Sequence, residues 1–121
     1  MTFEEFRAKV HNSPENVSMT EFILNMLEPA EESVVSYPKL LAHYYMYCEN
    51  ESVIEMINLT YGKFWSMVDC IISTYKLPYE VAYSSNGRRF LMGCRCKYSI
   101  KSDAKIHLLD KYPDIFKEEL F

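Results

Sequence analysis

Tyr79-Glu80-Val81-Ala82-Tyr83-Ser84-Ser85-Asn86-Gly87-Arg88-Arg89-Phe90-Leu91-Met92-Gly93-Cys94-Arg95-Cys96-Lys97-Tyr98-Ser99-Ile100 is the stretch that decides the fold. Its apolar residues recur every second position, the period of a strand. Asn86-Gly87 interrupts the alternation with the strongest short-range hairpin signal, because a two-residue type I′ turn needs positive φ at both positions. With that pair at the tip, Tyr83 is expected opposite Phe90, Val81 opposite Met92 and Tyr79 opposite Cys94. The second strand then presents Phe90, Met92, Cys94 and Cys96 on one face and Arg89, Leu91, Arg95 and Lys97 on the other. It also outruns the first strand, which Leu77-Pro78 terminates. The far half therefore needs another neighbour: Ser33 to Ser36, or a second copy of the chain pairing along the edge from Cys96 to Lys101.

Upstream the period is 3.6. Thr2-Phe3-Glu4-Glu5, Ser18-Met19-Thr20-Glu21 and Ser52-Val53-Ile54-Glu55 fit the capping box, in which the hydroxyl and the Glu satisfy each other's backbone amides. They predict helices over about 2–12, 19–28 and 52–76, the second stopped by Pro29. Pro38 suits the first turn of a further helix, lined by Leu40, Leu41, Tyr44, Tyr45 and Cys48 and ending near Asn50. Val53, Ile57, Tyr61, Phe64, Val68, Ile71 and Tyr75 make one apolar stripe, widened by Met56 and Trp65. About 25 helical residues would span roughly 37 Å, the width of the molecule, unless the helix kinks at Gly62. Ser102-Asp103 starts a last helix running through Leu109, followed by a turn at Pro113. The expected fold is α+β: four or five helices around a long central helix over about 52–76. These pack on a small antiparallel sheet containing a hairpin over about 79–85 and 88–100, all in a single domain over 1–121.

At 121 residues, with 49% apolar and 25% charged side chains, the chain can bury a core without staples. It carries a net charge of −4, unevenly distributed. Residues 1–80 hold five basic and twelve acidic groups, and residues 81–121 hold eight basic and five acidic. The acidic, helical N-terminus does not read as a signal peptide, and no apolar run approaches the ~18 residues of a membrane span. A cytoplasmic location with four reduced cysteines is expected. On that reading Asn16-Val17-Ser18, Asn50-Glu51-Ser52 and Asn58-Leu59-Thr60 are helix-start chemistry rather than glycosylation sites.

Three glycines, Gly62, Gly87 and Gly93, build no phosphate-cradling loop, and no metalloprotease or nucleophile-elbow pattern occurs. Cys94-Arg95-Cys96 could join Cys48 with His43 or His107 around zinc, but a single intervening residue is not a finger or ribbon spacing. Free cysteine on an apolar strand face packs as a small hydrophobe. A Cys–His nucleophile pair needs a proximity that sequence does not show. No cofactor, metal or catalytic residue is therefore assigned.

The candidate binding residues are Arg88, Arg89, Arg95, Lys97, Lys101 and Lys105, a basic stripe broken only by Asp103. Such a stripe can track an anionic partner with steep salt dependence. Single-strand binders interleave aromatics with the charges, and here the second strand's aromatics fall on the other face. A recognition helix is not written either, since the third predicted helix offers only Lys39 and the fourth mainly Lys63 and Lys76. The expected function is a small non-enzymatic protein that regulates or inhibits a macromolecular partner, a protein or protein–nucleic acid complex. It would act through a basic sheet face and an acidic helical surface. A phage or viral accessory protein blocking a host defence nuclease would suit this size and lack of active-site patterns. The alternatives are a nucleic-acid-binding regulator using the hairpin, and a small enzyme with a Cys/His site hidden from sequence.

Overall fold

A computed structural model describes residues 14–52 and 59–116. In chain order these form α1 (Pro14–Met26), β1 (Leu27–Ser36), α2 (Tyr37–Asn50), α3 (Tyr61–Tyr75), β2 (Glu80–Tyr83), β3 (Arg89–Cys96) and α4 (Ser102–Lys111). The fold is α+β, with four helices and a three-stranded antiparallel sheet among the described residues. The helix expected over 2–12 and the segment Val53–Asn58 lie outside them.

The strand order is β1-β3-β2, so β3 is central. Leu27, Val35, Leu91 and Cys94 are buried on its inner face. They join Phe22 and Ile23 of α1, Leu40 and Tyr44 of α2, and Phe64, Trp65 and Val68 of α3 in one core. Aromatic edges tie the helices together. Phe22 meets Tyr44 with ring centroids 5.3 Å apart, and Tyr37 meets Tyr61 at 4.8 Å. Such pairs contribute beyond the area they bury.

Three expectations need correction. The hairpin forms one residue out of the expected register, pairing Tyr83 with Arg89, Ala82 with Phe90, Val81 with Leu91 and Glu80 with Met92. Its loop is not type I′. The Gly87 amide donates to the Ser84 carbonyl at 2.9 Å and the Ser84 amide to the Arg88 carbonyl at 2.8 Å. Gly87 alone in the loop takes positive φ, 82°. This is the three-residue loop that closes on a left-handed glycine, and it spares Asn86 a conformation that strains a side chain. Asn86 Oδ1 instead accepts from the Arg88 amide at 3.2 Å and meets the Ser84 hydroxyl.

The third strand includes the expected Ser33 to Ser36 but starts upstream at Leu27, and it is Leu27 to Pro29 that pairs with the far half of β3. β1 runs the length of β3, with Leu27 opposite Cys96 and Pro29 opposite Cys94, then Val34 opposite Met92 and Ser36 opposite Phe90. Residues expected to end the second helix therefore belong to the sheet. Pro29 is tolerated because β1 is an edge strand. The Lys97 amide donates to the Met26 carbonyl at 2.9 Å, so this side of β3 is paired up to Lys97. On this side of β3 the chain itself supplies the neighbour. On the other side β2 reaches only as far as Met92.

The long helix is shorter than its stripe. Thr60 is extended, and its hydroxyl accepts from the Lys63 amide at 3.2 Å, so α3 starts at Tyr61 and Gly62 lies in its first turn. Ser52, expected to open the helix, takes φ 58° just after α2. Within α1, Ser18 is likewise an interior, buried residue rather than a cap. By contrast α2 has Pro38 in its first turn and ends at Asn50, as expected; Ser36, not read as a cap from the sequence, caps it, its hydroxyl accepting from the Lys39 amide at 3.4 Å.

The C-terminal part is pinned to α2 by one carboxylate. Glu49 Oε1 accepts from Lys111 Nζ at 2.9 Å and from the Tyr112 hydroxyl at 2.7 Å, and Oε2 accepts from His107 Nε2 at 2.7 Å. Burial alone would raise the Glu49 pKa, but the hydrogen bonds from Tyr112, Lys111 and His107 outweigh it and hold the carboxyl below its ordinary value. The stability this depression contributes is present above the ordinary carboxylate pKa and lost as pH falls through the folded one. Glu49→Gln is expected to cost about 1–3 kcal/mol at pH 7. Chemical denaturation from pH 7 downward should show the gap to wild type closing as the native carboxyl protonates.

Candidate functional site

Gly93 decides which residues share a surface. Its φ is 81°, and the β1–β3 register shifts beside it, with Ala30–Ser33 set between the two paired stretches. A bulge of this kind switches the faces of the strand. Before Gly93 the buried position is Leu91 and Met92 points out; after it Cys94 is buried and Arg95 points out. Cys94 and Cys96 thus keep the inner face expected for them, while Phe90 and Met92 move to the outer one. Val34 and Met92, paired across the outer face, are 59% and 37% exposed.

The six basic candidates consequently do not form one stripe. Arg88 is exposed at the hairpin end. Arg89 lies on the face opposite Arg95, its guanidinium carbon 5.8 Å from the centroid of the Tyr61 ring and 5.5 Å from that of Tyr83. Its backbone amide donates to the Tyr61 hydroxyl at 2.9 Å, which fixes the hairpin end against the start of α3. Arg95 turns outward and pairs with Glu28 at 2.8 Å, and Lys97 is exposed just beyond it. Lys101 precedes the first turn of α4, and Lys105 lies one turn inside that helix.

The acidic surface is also divided. Glu28, Glu31 and Glu32 belong to β1 rather than to a helix, Glu21 accepts from the Tyr47 hydroxyl at 3.2 Å, and Glu49 is enclosed by its three donors. What the structure brings together instead is a patch at the hairpin end: Arg88, Arg89, Tyr83 and Tyr61, with the two tyrosines 63% and 40% exposed. Tyr61 was legible only as a core position of a helix stripe. No local signal connects it to a residue 28 positions away.

Lys39, His43, Cys96, Tyr98, Ser99, Ile100 and Lys105 line a second feature, a cleft of about 230 Å³ between α2 and the chain leading into α4. His43 is 6% exposed. Burial, helped by the Lys39 ammonium, lowers its pKa to about 4. Burial also raises the Cys96 thiol, against a smaller opposite pull from Lys39. Cys94, behind it, is pushed up to about 12 by burial and by Cys96. A thiolate–imidazolium pair would need both shifts reversed. Among the described residues, no three His, Cys, Asp or Glu side chains converge in a metal-holding arrangement. No described helix is long and apolar enough to cross a membrane.

No protein-family model, curated protein or solved structure matches the chain.

Proposed function

We propose that this is a non-catalytic binding protein that regulates or inhibits a macromolecular partner by occupying it, and that the hairpin end is its contact surface. The observation that carries this is the Arg89 guanidinium set against the partly exposed Tyr61 and Tyr83 rings, with the exposed Arg88 preceding it in the chain. Tyrosine and arginine are, with tryptophan, the residues enriched among interface hot spots. Here the pair is held rigid by the Arg89 amide on Tyr61, so little side-chain freedom is lost on docking. The Arg89 guanidinium favours an acidic protein surface, where bidentate pairing with carboxylates is available. Arg95, already engaged by Glu28, and Lys97 and Lys101 take a lesser part in this reading.

Capture from the native source with wild type, Arg88→Glu/Arg89→Glu and Arg95→Glu/Lys97→Glu side by side tests it. The first double variant is expected to weaken partner binding by about thirtyfold or more, the scale of a hot-spot loss of ~2 kcal/mol. The second should change it by less than threefold, and both should melt like wild type. Undiminished binding by the folded Arg88→Glu/Arg89→Glu variant would remove the hairpin end from the account.

One observation favours a second reading. Exposed tyrosines beside arginines are also what single-strand nucleic-acid binders use for stacking. Fluorescence anisotropy with a mixed-sequence single-stranded oligonucleotide separates the two. A salt-dependent affinity lost in Tyr83→Ala selects nucleic acid, and its absence alongside retained protein capture selects the protein partner.

A further inference from the structure

We infer that the chain self-associates through the open edge of β2, with two copies pairing antiparallel about a two-fold axis at Ala82 so that their sheets become one. The Ser84 amide donates to the Arg88 carbonyl at 2.8 Å, which makes Ser84 and Arg88 a hydrogen-bonded pair. Bonded and non-bonded pairs alternate along an antiparallel ladder. Ala82 and Glu80 are therefore bonded to Phe90 and Met92 of β3, whereas the amides and carbonyls of Val81 and Tyr83 turn away from it. The Arg89 amide obeys the same alternation, pointing away from β2 to bond the Tyr61 hydroxyl. β2 is an edge of the sheet, with no described strand beyond it.

The two edges are guarded differently. β1 carries Pro29, an irregular middle and the exposed Glu31 and Glu32, features that keep a further strand away. β2 has only its shortness and one charge, Glu80. A second copy fits that edge by charge and by shape. About an axis at Ala82, Val81 of each copy exchanges backbone hydrogen bonds with Tyr83 of the other. The Tyr83 ring, 63% exposed, then lies against Val81, an aromatic and β-branched pair of the kind that stabilises neighbouring strands. On the outer face Glu80 of one copy comes opposite Ser84 of the other, and Ser84 is bonded to the exposed Arg88. Two strand spacings, about 10 Å between backbones, are within the combined reach of the Glu and Arg side chains, so an ion pair closes on either side of the axis. The edge expected from sequence, beyond Cys96 on β3, is less suited. Centring two copies there on Arg95 or on Cys96 sets Arg95 opposite its own copy or opposite Lys97, and like charges directly opposite repel. The inference does not need the partner proposed above, and it uses Arg88 but not Arg89.

Sedimentation velocity of the full chain over rising concentration tests it. Wild type is expected to pass from monomer to dimer, more readily at low salt because the Glu80–Arg88 pairs are exposed. Ala82→Lys sets two ammonium groups face to face across the axis and should weaken the dimer about tenfold or more, while the melting of the monomer changes little. Glu80→Arg should weaken it too, and adding Arg88→Glu to that variant should restore association. Arg95→Glu/Lys97→Glu should leave it unchanged. Wild type that stays monomeric up to about 1 mM, or a dimer undiminished in the folded Ala82→Lys variant, would overturn the inference. The two readings fail separately: a monomeric wild type that still captures a partner removes only the self-association, and a dimer that captures none removes only the partner.

Discussion

Gly93→Ala is expected to destabilise the protein by about 3–5 kcal/mol and lower its Tm by about 10 °C or more. Two causes add. A side chain at φ 81° costs about 1–2 kcal/mol, because Cβ crowds the following carbonyl. In addition, a Cβ built there would stand 2.7 Å from the Pro78 carbonyl oxygen, with the Tyr79 Cα at 3.7 Å. The first obstacle is backbone and cannot swing aside, so β3 and the chain entering β2 would have to separate. The other glycines calibrate the result. Gly87 also has positive φ, 82°, but open space around it, so Gly87→Ala should cost only the conformational part, about 1 kcal/mol. Gly62 has open space, no positive φ and a place in the first turn of α3, so Gly62→Ala should stabilise by roughly 0.5–1 kcal/mol. Thermal melts of the three variants check the order, and a Gly93→Ala protein as stable as Gly87→Ala would show that the close approach to Pro78 is absent.

The second large effect is on acid stability through His43. Its pKa is about 4 in the folded chain, against about 6.5 for an exposed histidine. Between those values the unfolded chain binds the proton and the native one does not, so stability rises with pH across the window. The contribution is complete above the unfolded pKa and is lost as pH falls from 6.5 through 4. At about 1.4 kcal/mol per pKa unit, it amounts to roughly 3 kcal/mol. Urea denaturation at pH 7.5, 6, 5 and 4 should show wild type losing most of this, whereas His43→Gln, which cannot charge, should have a flat profile down to about pH 5. Glu49 adds a separate loss below the ordinary carboxylate range, which Glu49→Gln removes without altering the His43 window. A His43→Gln variant with the wild-type slope between pH 6.5 and 5 would place the acid sensitivity elsewhere.

Much of the architecture could be read from local chemistry. Asn86-Gly87 marks a hairpin because few other pairs turn so tightly, and Pro38 marks the start of α2 because its missing amide costs nothing in the first turn. The register was less accessible. The two-residue loop and the three-residue loop share the same Asn-Gly pair, and they differ in the pairing of β2 with β3, which no local signal states. The bulge at Gly93 and the loop extension each shift β3 by one residue, and the shifts cancel beyond the bulge. The reading was therefore right for Cys94 to Lys97 and inverted for Arg89 to Met92.

β1 was hidden for another reason. Pro29, Glu31 and Glu32 are strand breakers by propensity, and only an edge strand with an irregular middle accommodates them. In α3 an apolar stripe ran through a real start signal: Asn58-Leu59-Thr60 holds the cap, yet Val53 and Ile57 continued the period upstream of it. Of the candidate residues, Arg88 and Arg89 remain in the proposed contact and Lys105 moves to the cleft. Tyr61 and His43 acquire their roles only through packing between distant segments.

Cross-strand NOEs along β3 test the central claim, that the bulge at Gly93 distributes the basic residues over two faces. The account predicts contacts of Met92 with both Val34 and Glu80, of Arg89 with Tyr83, and of Cys94 with Pro29. Contacts pairing Tyr83 with Phe90 and Val81 with Met92 would instead restore a single basic face from Arg89 to Lys97, contradicting both the register and the binding surface built on it.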